Sequence, residues 1–196
     1  VIVSVVWVRR GETLTPFELD GRNVPLISAY LFHAGGHEDP NNLKANTALC
    51  FQGTTVLGVG FTFDDLDNSG SASTMASAIE LIKNSPRNSE IIKPLIGGEE
   101  VNDHPLHASR RMVIDFGERN IETVKLWPEL LQIIDSKARG TRGSHSTAPW
   151  WQFERPRQEL YHAIAPLNRV IVVARVSPHG LFTMLPSQMV FTEQLL

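Results

Sequence analysis

The pattern of apolar and polar positions divides the chain into short segments of two kinds. Runs rich in valine and isoleucine predict β-strands, because side chains branched at Cβ fit a pleated sheet. Such runs occur at Val1–Val8 and, most clearly, at Arg169–Val176. Two further runs, Ala48–Phe51 and Val56–Phe63, flank Gln52–Thr54, and this arrangement predicts a β-hairpin.

Three other segments carry apolar residues at helical spacing. Thr74–Lys83 follows a polar loop and predicts a helix capped by Ser71 or Ser73. The other two segments are predicted to begin at Pro128 and Pro156. Proline is favoured in the first turn of a helix, where its missing N–H leaves no donor unsatisfied. The apolar positions that define the three helices are Met75, Ile79 and Ile82, then Leu130, Leu131, Ile133 and Ile134, then Leu160, Ile164 and Leu167.

The end of the chain has the pattern of another antiparallel hairpin. The strand at Arg169–Val176 is followed by a tight turn at Ser177–Gly180, and then by Leu181–Leu185 and Gln188–Thr192, separated by Pro186. Hairpin-like strands interleaved with three or four short packed helices predict an α+β fold with a mixed, largely antiparallel sheet.

Length sets the expected domain organisation. The 196 residues are enough for one sizeable core, so we expect a single domain over residues 1–196, with a sub-boundary near residues 64–73. The chain begins and ends within apolar runs of β type, which favours a domain excised from a longer polypeptide.

Composition narrows the class of protein. Hydrophobic residues make up 42% of the chain, and no apolar run approaches the roughly 20 residues that a membrane-spanning helix needs. The single cysteine, Cys50, excludes an internal disulfide framework and fits a reducing compartment. We therefore expect a cytoplasmic protein with no membrane partner.

Charge is distributed unevenly. The formal net charge of −3 argues against a chain that is basic throughout, as a histone-like binder would be. Between His104 and Arg175, however, eleven lysines and arginines stand against seven acids, which gives +4 there and −7 in the remainder. This asymmetry predicts one surface that meets an anionic partner.

Three patterns suggest chemistry, but each is incomplete. The first residues of a calcium-binding EF-hand loop are present at Asp65, Asp67, Ser69 and Gly70, yet the closing glutamate is replaced by Ala76, which favours a plain acidic loop. A half-motif of metal-dependent nucleases is present at Asp135–Lys137, without the second carboxylate that a metal site needs. The ligand-like pair His104 and His107 flanks a proline in a loop. We therefore assign no catalytic, cofactor-binding or metal-binding residue.

The strongest functional pattern is a run of basic residues, which we call the basic segment (residues 137–157). Its cations are Lys137, Arg139, Arg142, His145, Arg155 and Arg157, and they interleave with Trp150, Trp151 and Phe153. Arginine side chains can donate paired hydrogen bonds to phosphates, so we interpret the cations as functional. We interpret the two tryptophans as scaffold. Arg175, Ser177 and His179, at the predicted tip of the last hairpin, are candidates for the same surface.

Several segments, in this order, resemble the target recognition domain of MmeI-like enzymes, which are single-chain restriction-modification proteins and their methyltransferase relatives. The downstream segments are Arg111–Gly117, Trp127–Leu130, Trp150–Phe153, Arg155–Arg157, Ala163–Ile164 and Arg169–Phe182. The upstream ones are Val3–Gly11, Leu19–Gly21, Gly60–Phe61, Pro86–Asn88 and Lys93–Gly98. The resemblance covers nearly the whole chain.

The resemblance implies DNA recognition without chemistry in this chain. In that family the full protein uses S-adenosylmethionine to methylate adenine at N6, some members also cut DNA, and this domain chooses the site. The catalytic Asn/Asp-Pro-Pro-Tyr tetrapeptide and the cofactor-binding glycine motif belong to a preceding domain, and this chain has no Pro-Pro pair. The implied partners are double-stranded DNA and a methyltransferase domain of the same polypeptide.

A competing interpretation is a scaffold domain whose basic segment docks onto an acidic surface of a neighbouring domain. A nuclease built around Asp135 and Lys137 is the enzymatic alternative. Under the recognition hypothesis, Lys137, Arg139, Arg142, Arg155 and Arg157 hold phosphates, while Arg175, Ser177 and His179 contact a groove.

Overall fold

The computed structural model describes residues 11, 17–28, 33, 44–46, 48–56, 58, 60–141 and 148–196. The chain divides into two compact units, Val1–Ala45 and Asn46–Leu196, so residues 64–73 lie within the second unit. The strand predicted at Val1–Val8 lies outside the described residues.

The first unit contains a small hairpin. Strand β1 (Phe17–Leu19) pairs antiparallel with β2 (Arg22–Val24). The two residues between the strands, Asp20 and Gly21, have φ angles of 52° and 73°. Two positive φ angles in succession suit the primed turns that join twisted strands, and Asp-Gly is among the sequences that adopt them most readily.

The second unit carries the remaining strands and the helices. Its described strands are β3 (Thr62–Phe63), β4 (Ile92–Ile96), β5 (Arg111–Ile114), β6 (Arg169–Val173), β7 (Phe182–Pro186) and β8 (Val190–Phe191). Its described α-helices are α1 (Met75–Asn84), α2 (Gly98–Asp103), α3 (Ile121–Val124), α4 (Pro128–Lys137) and α5 (Gln158–Ile164). Short 3₁₀ turns of this unit occupy Pro86–Glu90 and Arg139–Thr141, and another, Lys44–Asn46, includes the boundary between the two units.

Four of these strands form one sheet in the order β3-β5-β4-β8. Strand β5 is antiparallel to both β3 and β4, whereas β4 and β8 run parallel. A separate antiparallel pair is formed by β6 and β7. The predicted α+β class, with a mixed and largely antiparallel sheet, is therefore confirmed.

Strands β4 and β8 contribute side chains to two different cores. Leu95 pairs with Val190 and Ile96 pairs with Phe191. Successive side chains of a strand point to opposite faces, so the first pair enters one core and the second pair enters another. Helices α1, α3 and α4 supply the first core, and α2, α5 and the β6–β7 hairpin supply the second.

The helices agree with the predictions in most respects. Helix α4 begins at Pro128, as expected, and buries Leu130 and Ile134 completely. Helix α1 is capped by Thr74 instead of Ser71 or Ser73. The Thr74 hydroxyl accepts a hydrogen bond from the N–H of Ser77, the third residue of the helix.

The buried stripe of α1 also differs from the prediction. Ile79 is 61% exposed, and the stripe that meets the core consists of Met75, Ala78, Leu81 and Ile82. The side chain of Ala78 is completely buried in the first core.

The described residues within 48–63 do not pair with each other as the predicted hairpin. Thr54 forms a parallel bridge with Thr192, and Thr55 forms an antiparallel bridge with Arg155. The segment therefore lies between two parts of the chain that are distant in sequence, which local pairing rules could not reveal.

Gly53 makes this insertion sterically allowed. A Cβ atom at Gly53 would lie 2.1 Å from the carbonyl oxygen of Thr192, closer than any side chain tolerates. Gly60 makes a similar contact, since a Cβ there would lie 2.8 Å from the carbonyl carbon and oxygen of Lys137. Gly53 therefore lets its segment approach the end of β8, and Gly60 lets its segment approach the end of α4.

The last predicted hairpin forms only in part. Strands β6 and β7 pair antiparallel, with Val172 opposite Thr183. Strand β8, which lies within the predicted strand Gln188–Thr192, instead joins the four-stranded sheet in parallel with β4. Burial of Val190 and Phe191 in the two cores favours that position.

None of the helices in the described ranges is long and apolar enough to cross a bilayer.

Candidate nucleic-acid interface

Lys137 and Arg139 lie at the C-terminal end of α4 in different environments. Nζ of Lys137 donates to the carbonyl oxygen of Ala72 at 3.0 Å and to Oγ of Ser73 at 2.9 Å. Nη1 of Arg139 instead pairs with Oδ1 of Asp135 at 2.8 Å, one helical turn back, while its side chain remains 61% exposed. The ammonium of Lys137 therefore faces the protein, and Arg139 lies on the surface.

The tryptophan pair anchors the basic segment to the first core. Trp150 and Trp151 meet edge to face, with ring centroids 5.8 Å apart, and both pack against that core. Nε1 of Trp151 donates to the carbonyl oxygen of Arg119 at 3.0 Å. The guanidinium carbon of Arg139 lies 5.1 Å from the centroid of Trp150, a cation–π contact that orients the arginine. The interpretation of the tryptophans as scaffold is confirmed.

Arg155 combines a fixed backbone with a free side chain. Its N–H donates to the carbonyl oxygen of Thr55 at 3.3 Å, and its carbonyl oxygen accepts from the N–H of Thr55 at 3.1 Å. The side chain is exposed, and no hydrogen bond or ion pair to another described residue holds its guanidinium. It is available to an anionic ligand.

Arg157 is held in a strained position at the start of α5. Its φ of 53° and ψ of 52° lie in the left-handed region, which costs a non-glycine residue about 1–3 kcal/mol. Nη2 donates to Oε1 of Gln52 at 2.8 Å, and Nη1 lies 3.8 Å from Oε1 of Glu159. Its Nε is buried and finds no acceptor in the described part of the chain. Strain and an unmet donor together are typical of functional positions.

Gln52 links Arg157 to Arg175. Its Oε1 accepts from Arg157, and its Nε2 donates to the carbonyl oxygen of Glu193 at 3.2 Å. Nη1 of Arg175 donates to the same carbonyl oxygen, also at 3.2 Å. These contacts connect the two guanidinium groups through one glutamine side chain and one carbonyl oxygen. We call Arg155, Arg157 and Arg175 the arginine cluster.

A buried tyrosine fixes the strand segment that carries Gln52. The hydroxyl of Tyr161, on α5, shares a hydrogen bond of 2.9 Å with Oγ1 of Thr54 and accepts one of 3.3 Å from the N–H of Phe191. Burial raises the pKa of Tyr161 to about 12, so the hydroxyl stays protonated at neutral pH. The two hydrogen bonds of this hydroxyl therefore hold α5, Thr54 and Phe191 together at neutral pH.

The predicted hairpin tip continues from the arginine cluster. Ser177 and His179 lie in the connection between β6 and β7, where the N–H of His179 donates to Oγ of Ser177 at 3.1 Å. Nδ2 of Asn102 donates to the carbonyl oxygen of Val176 at 3.0 Å and so ties α2 to the start of the tip. The side chain of His179 is exposed.

Two of the predicted site residues, Arg142 and His145, lie outside the described residues. The remaining ones form two groups. Arg139 lies at the end of α4, and the arginine cluster leads into the tip at Ser177 and His179.

The acidic loop at residues 64–73 is closed by its own hydrogen bonds. Oδ2 of Asp67 accepts from the N–H of Ala72 at 2.8 Å and from Oγ of Ser69 at 2.9 Å. These bonds, the one from the N–H of Ala72 first, lower the pKa of Asp67 to about 2. Asp65 accepts from the N–H of Met75 at the start of α1. The prediction of a loop that leads into a helix is confirmed.

The other candidate ligands also have internal partners. Nδ1 of His104 accepts from the backbone N–H groups of Leu106 and Ala108, and Nδ1 of His107 bonds the carbonyl oxygen of Val101. Within the described ranges, no three histidine, cysteine, aspartate or glutamate side chains are grouped so that they could hold a metal ion.

The arrangement is suited to binding an extended anion. Arg155 and Arg175 are exposed, and exposed guanidinium groups donate well-aligned pairs of hydrogen bonds to phosphate, whereas the guanidinium of Arg157 is partly buried and contacts Gln52 and Glu159. Sequence reasoning missed Gln52, the residue that links Arg157 to Arg175. It is uncharged and lies in a segment that resembles a hairpin turn, so no local signal marks it.

Comparison with solved structures finds a similar fold. No family profile and no curated protein matches the sequence. The fold is similar to part of the Type IIL restriction-modification enzyme MmeI, solved in complex with DNA, with a TM-score of 0.56 and 13% sequence identity. The similarity covers 88% of this chain and 22% of that chain, so this chain spans about a fifth of the solved protein.

Proposed function

We propose that this chain is a DNA sequence-recognition domain of an adenine-specific DNA methyltransferase or restriction-modification enzyme. It binds duplex DNA and positions it for methylation by a separate catalytic domain. The observation that carries the proposal is the arginine cluster, on a fold shared with part of an enzyme solved with DNA.

The described arginines take different roles in this proposal. Arg139 and Arg155 are exposed and hold phosphates, which fixes the register of the protein on the duplex. Arg157 is linked through Gln52 to Arg175, which lies two residues before Ser177 of the hairpin tip. Ser177 and His179 at that tip contact base edges in a groove. We assign Arg142 and His145 to phosphates by sequence alone.

The chemistry lies outside this chain in the proposal. A methyltransferase domain of the same cytoplasmic polypeptide binds S-adenosylmethionine and transfers its methyl group to N6 of adenine. This chain supplies no catalytic residue and binds no cofactor; its partners are the DNA duplex and that domain.

The experiment is a binding titration of the 196-residue chain with a fluorescently labelled duplex of mixed sequence. We expect binding at low salt that weakens as salt rises, because each phosphate contact releases counterions and contributes about 0.9 to the slope of log K against log salt. Absence of duplex binding even at low salt would overturn the proposal.

An apolar surface supports the second partner, the methyltransferase domain. Ile171, Phe182 and Met184 on the β6–β7 hairpin are 66%, 68% and 48% exposed. They adjoin a groove of about 580 Å³ between this hairpin, α5 and residues 48–53. Large contiguous apolar patches are typical of protein contacts, and the solved neighbour carries this fold within a much longer chain.

Charge reversal separates recognition from the competing scaffold function. The substitutions Arg139→Glu and Arg155→Glu should abolish duplex binding and leave assembly with the methyltransferase domain intact. The scaffold interpretation predicts the opposite result, in which assembly is lost and DNA binding persists. Both outcomes can be read in the parent protein, DNA binding by duplex titration and domain docking by limited proteolysis between the two domains.

A further inference from the structure

The peptide groups that flank Ala72 are held from two sides by opposite charges. The carboxylate of Asp67 accepts from the N–H of Ala72 at 2.8 Å. The ammonium of Lys137 donates to the carbonyl oxygen of the same residue at 3.0 Å and to Oγ of Ser73 at 2.9 Å. The acidic loop and the end of α4 are therefore joined through one residue.

The acceptors of Lys137 are themselves fixed to the sheet. The N–H of Ser73 donates to the carbonyl oxygen of Thr62, in β3, at 2.9 Å. The N–H of Asp64 donates to the carbonyl oxygen of Ser73 at 2.8 Å. The end of α4 thus has a rigid attachment point at the edge strand β3.

The backbone of Lys137 is fixed as well. Gly60 packs directly on its carbonyl group, so closely that a Cβ would lie 2.8 Å away. The next residue, Ala138, is only 1% exposed. Side chain and main chain therefore set the direction in which the chain leaves α4.

Arg139 is the residue whose position depends on this exit. Its guanidinium is paired with Asp135 at 2.8 Å and stacked over Trp150 at 5.1 Å, and both contacts require the helix end to be in place. Two of the three N–H groups of Lys137 are already used by the protein. A phosphate contact by Lys137 would have to compete with those bonds.

We propose that Lys137 is a positioning residue of the basic segment and not a phosphate ligand. By binding residues 72 and 73 it holds the end of α4, and through it Arg139, in the orientation that meets DNA. This inference rests on the proposed function, since it explains how one of the DNA-binding arginines is held.

The neutral side chain of Ser73 makes the inference testable. A lysine that binds phosphate contributes about one unit to the salt slope by itself, and its loss does not depend on Ser73. A lysine that acts through Ser73 and Arg139 is instead coupled to both, and coupled residues give non-additive effects in double-mutant cycles.

The experiment measures duplex affinity and its salt dependence for Lys137→Met, Ser73→Ala, Arg139→Gln and their pairwise combinations, in the 196-residue chain with the mixed-sequence duplex. We expect Lys137→Met to weaken binding about tenfold, the equivalent of one hydrogen bond to a charged group, and Ser73→Ala to weaken it less but clearly. Neither should weaken binding much further once Arg139→Gln is present.

The contrary result is wild-type binding by Ser73→Ala together with an additive loss, and a smaller salt slope, for Lys137→Met. That outcome would make Lys137 a phosphate ligand and overturn the inference, while the proposed function would stand. Failure of the wild-type chain to bind duplex would overturn both. If Lys137→Met does not fold, the double-mutant cycle of Ser73→Ala and Arg139→Gln distinguishes the positioning role of Lys137 from the phosphate-binding role.

Discussion

Close backbone contacts at single residues hold the arginine cluster in place. Gly53 lies against the carbonyl oxygen of Thr192, next to Gln52 and two residues before Thr55, which pairs with Arg155. Any side chain at position 53 would push these elements apart.

The substitution Gly53→Ala should therefore lower the free energy of unfolding by about 3 kcal/mol, because a main-chain oxygen cannot move aside as a side chain can. Gly140→Ala is the matched control, since nothing lies within 4 Å of a Cβ there and its φ is not positive. Urea denaturation of the two variants checks this. A loss at Gly53 no larger than at Gly140 would show that the close contact is not real.

A buried ion pair fixes the turn after β4. Glu100 is 3% exposed, accepts from the N–H of Gly97 at 2.9 Å, and receives two hydrogen bonds from Arg111, at 2.7 and 2.9 Å. Its neighbour Glu99 pairs with Arg110 at the surface.

Removal of the buried carboxylate leaves an uncompensated guanidinium, so Glu100→Ala should destabilise the chain by about 3–5 kcal/mol. Glu99→Ala deletes the same group from an exposed pair and should change stability by less than about 1 kcal/mol. Thermal or urea unfolding of the two variants provides the comparison. Equal effects would contradict the assigned environments.

At the scale of elements, the acidic loop responds to pH through Asp67. Its folded-state pKa, about 2, lies below the ordinary value of 3.8, so its carboxylate stabilises the fold above pH 3.8. That contribution is lost as the pH falls from 3.8 through 2.

We expect Asp67→Asn to unfold with a weaker dependence on pH across that acid range than the wild-type chain does. Asp103→Asn, an exposed change at the end of α2, is the control. The measurement is the urea midpoint between pH 4.5 and pH 2. Parallel curves for Asp67→Asn and wild type would mean that the loop does not bind its own carboxylate.

Local signals predict elements well where the cause is local. Pro128 and the apolar residues after it predict α4, and the run of branched residues at Arg169–Val173 predicts β6. The pairing of Thr54 with Thr192 involves residues far apart in the sequence. No short-range pattern encodes this pairing. From the local sequence alone, residues 52–54 therefore resemble a hairpin turn.

The candidate site shows the same division. The arginines of the cluster can be recognised in the sequence by their charge. Gln52 cannot, because it joins Arg157 to Arg175 only after the fold has inserted residues 52–55 between distant segments. Similarly, Lys137 looks like any other cation of the basic segment until its acceptors, Ala72 and Ser73, are seen.

At the scale of the whole molecule, the second unit has two distinct surfaces. Two cores lie on opposite faces of β4 and β8, and the arginine cluster lies where residues 52–55, 155–157 and 191–195 meet. The exposed face of the β6–β7 hairpin is apolar instead of basic, and it therefore suits a protein partner. One unit can therefore meet DNA and a catalytic domain through different residues.

The most direct test of DNA binding by the exposed arginines is the salt dependence of duplex affinity in neutralised variants. We expect Arg139→Gln combined with Arg155→Gln to lower the slope of log K against log salt by about 1.8, from two lost phosphate contacts of about 0.9 each. Lys83→Gln, which removes an exposed cation in the last turn of α1, should leave the slope unchanged. An unchanged slope in the double variant, or an equal loss in Lys83→Gln, would contradict the assignment.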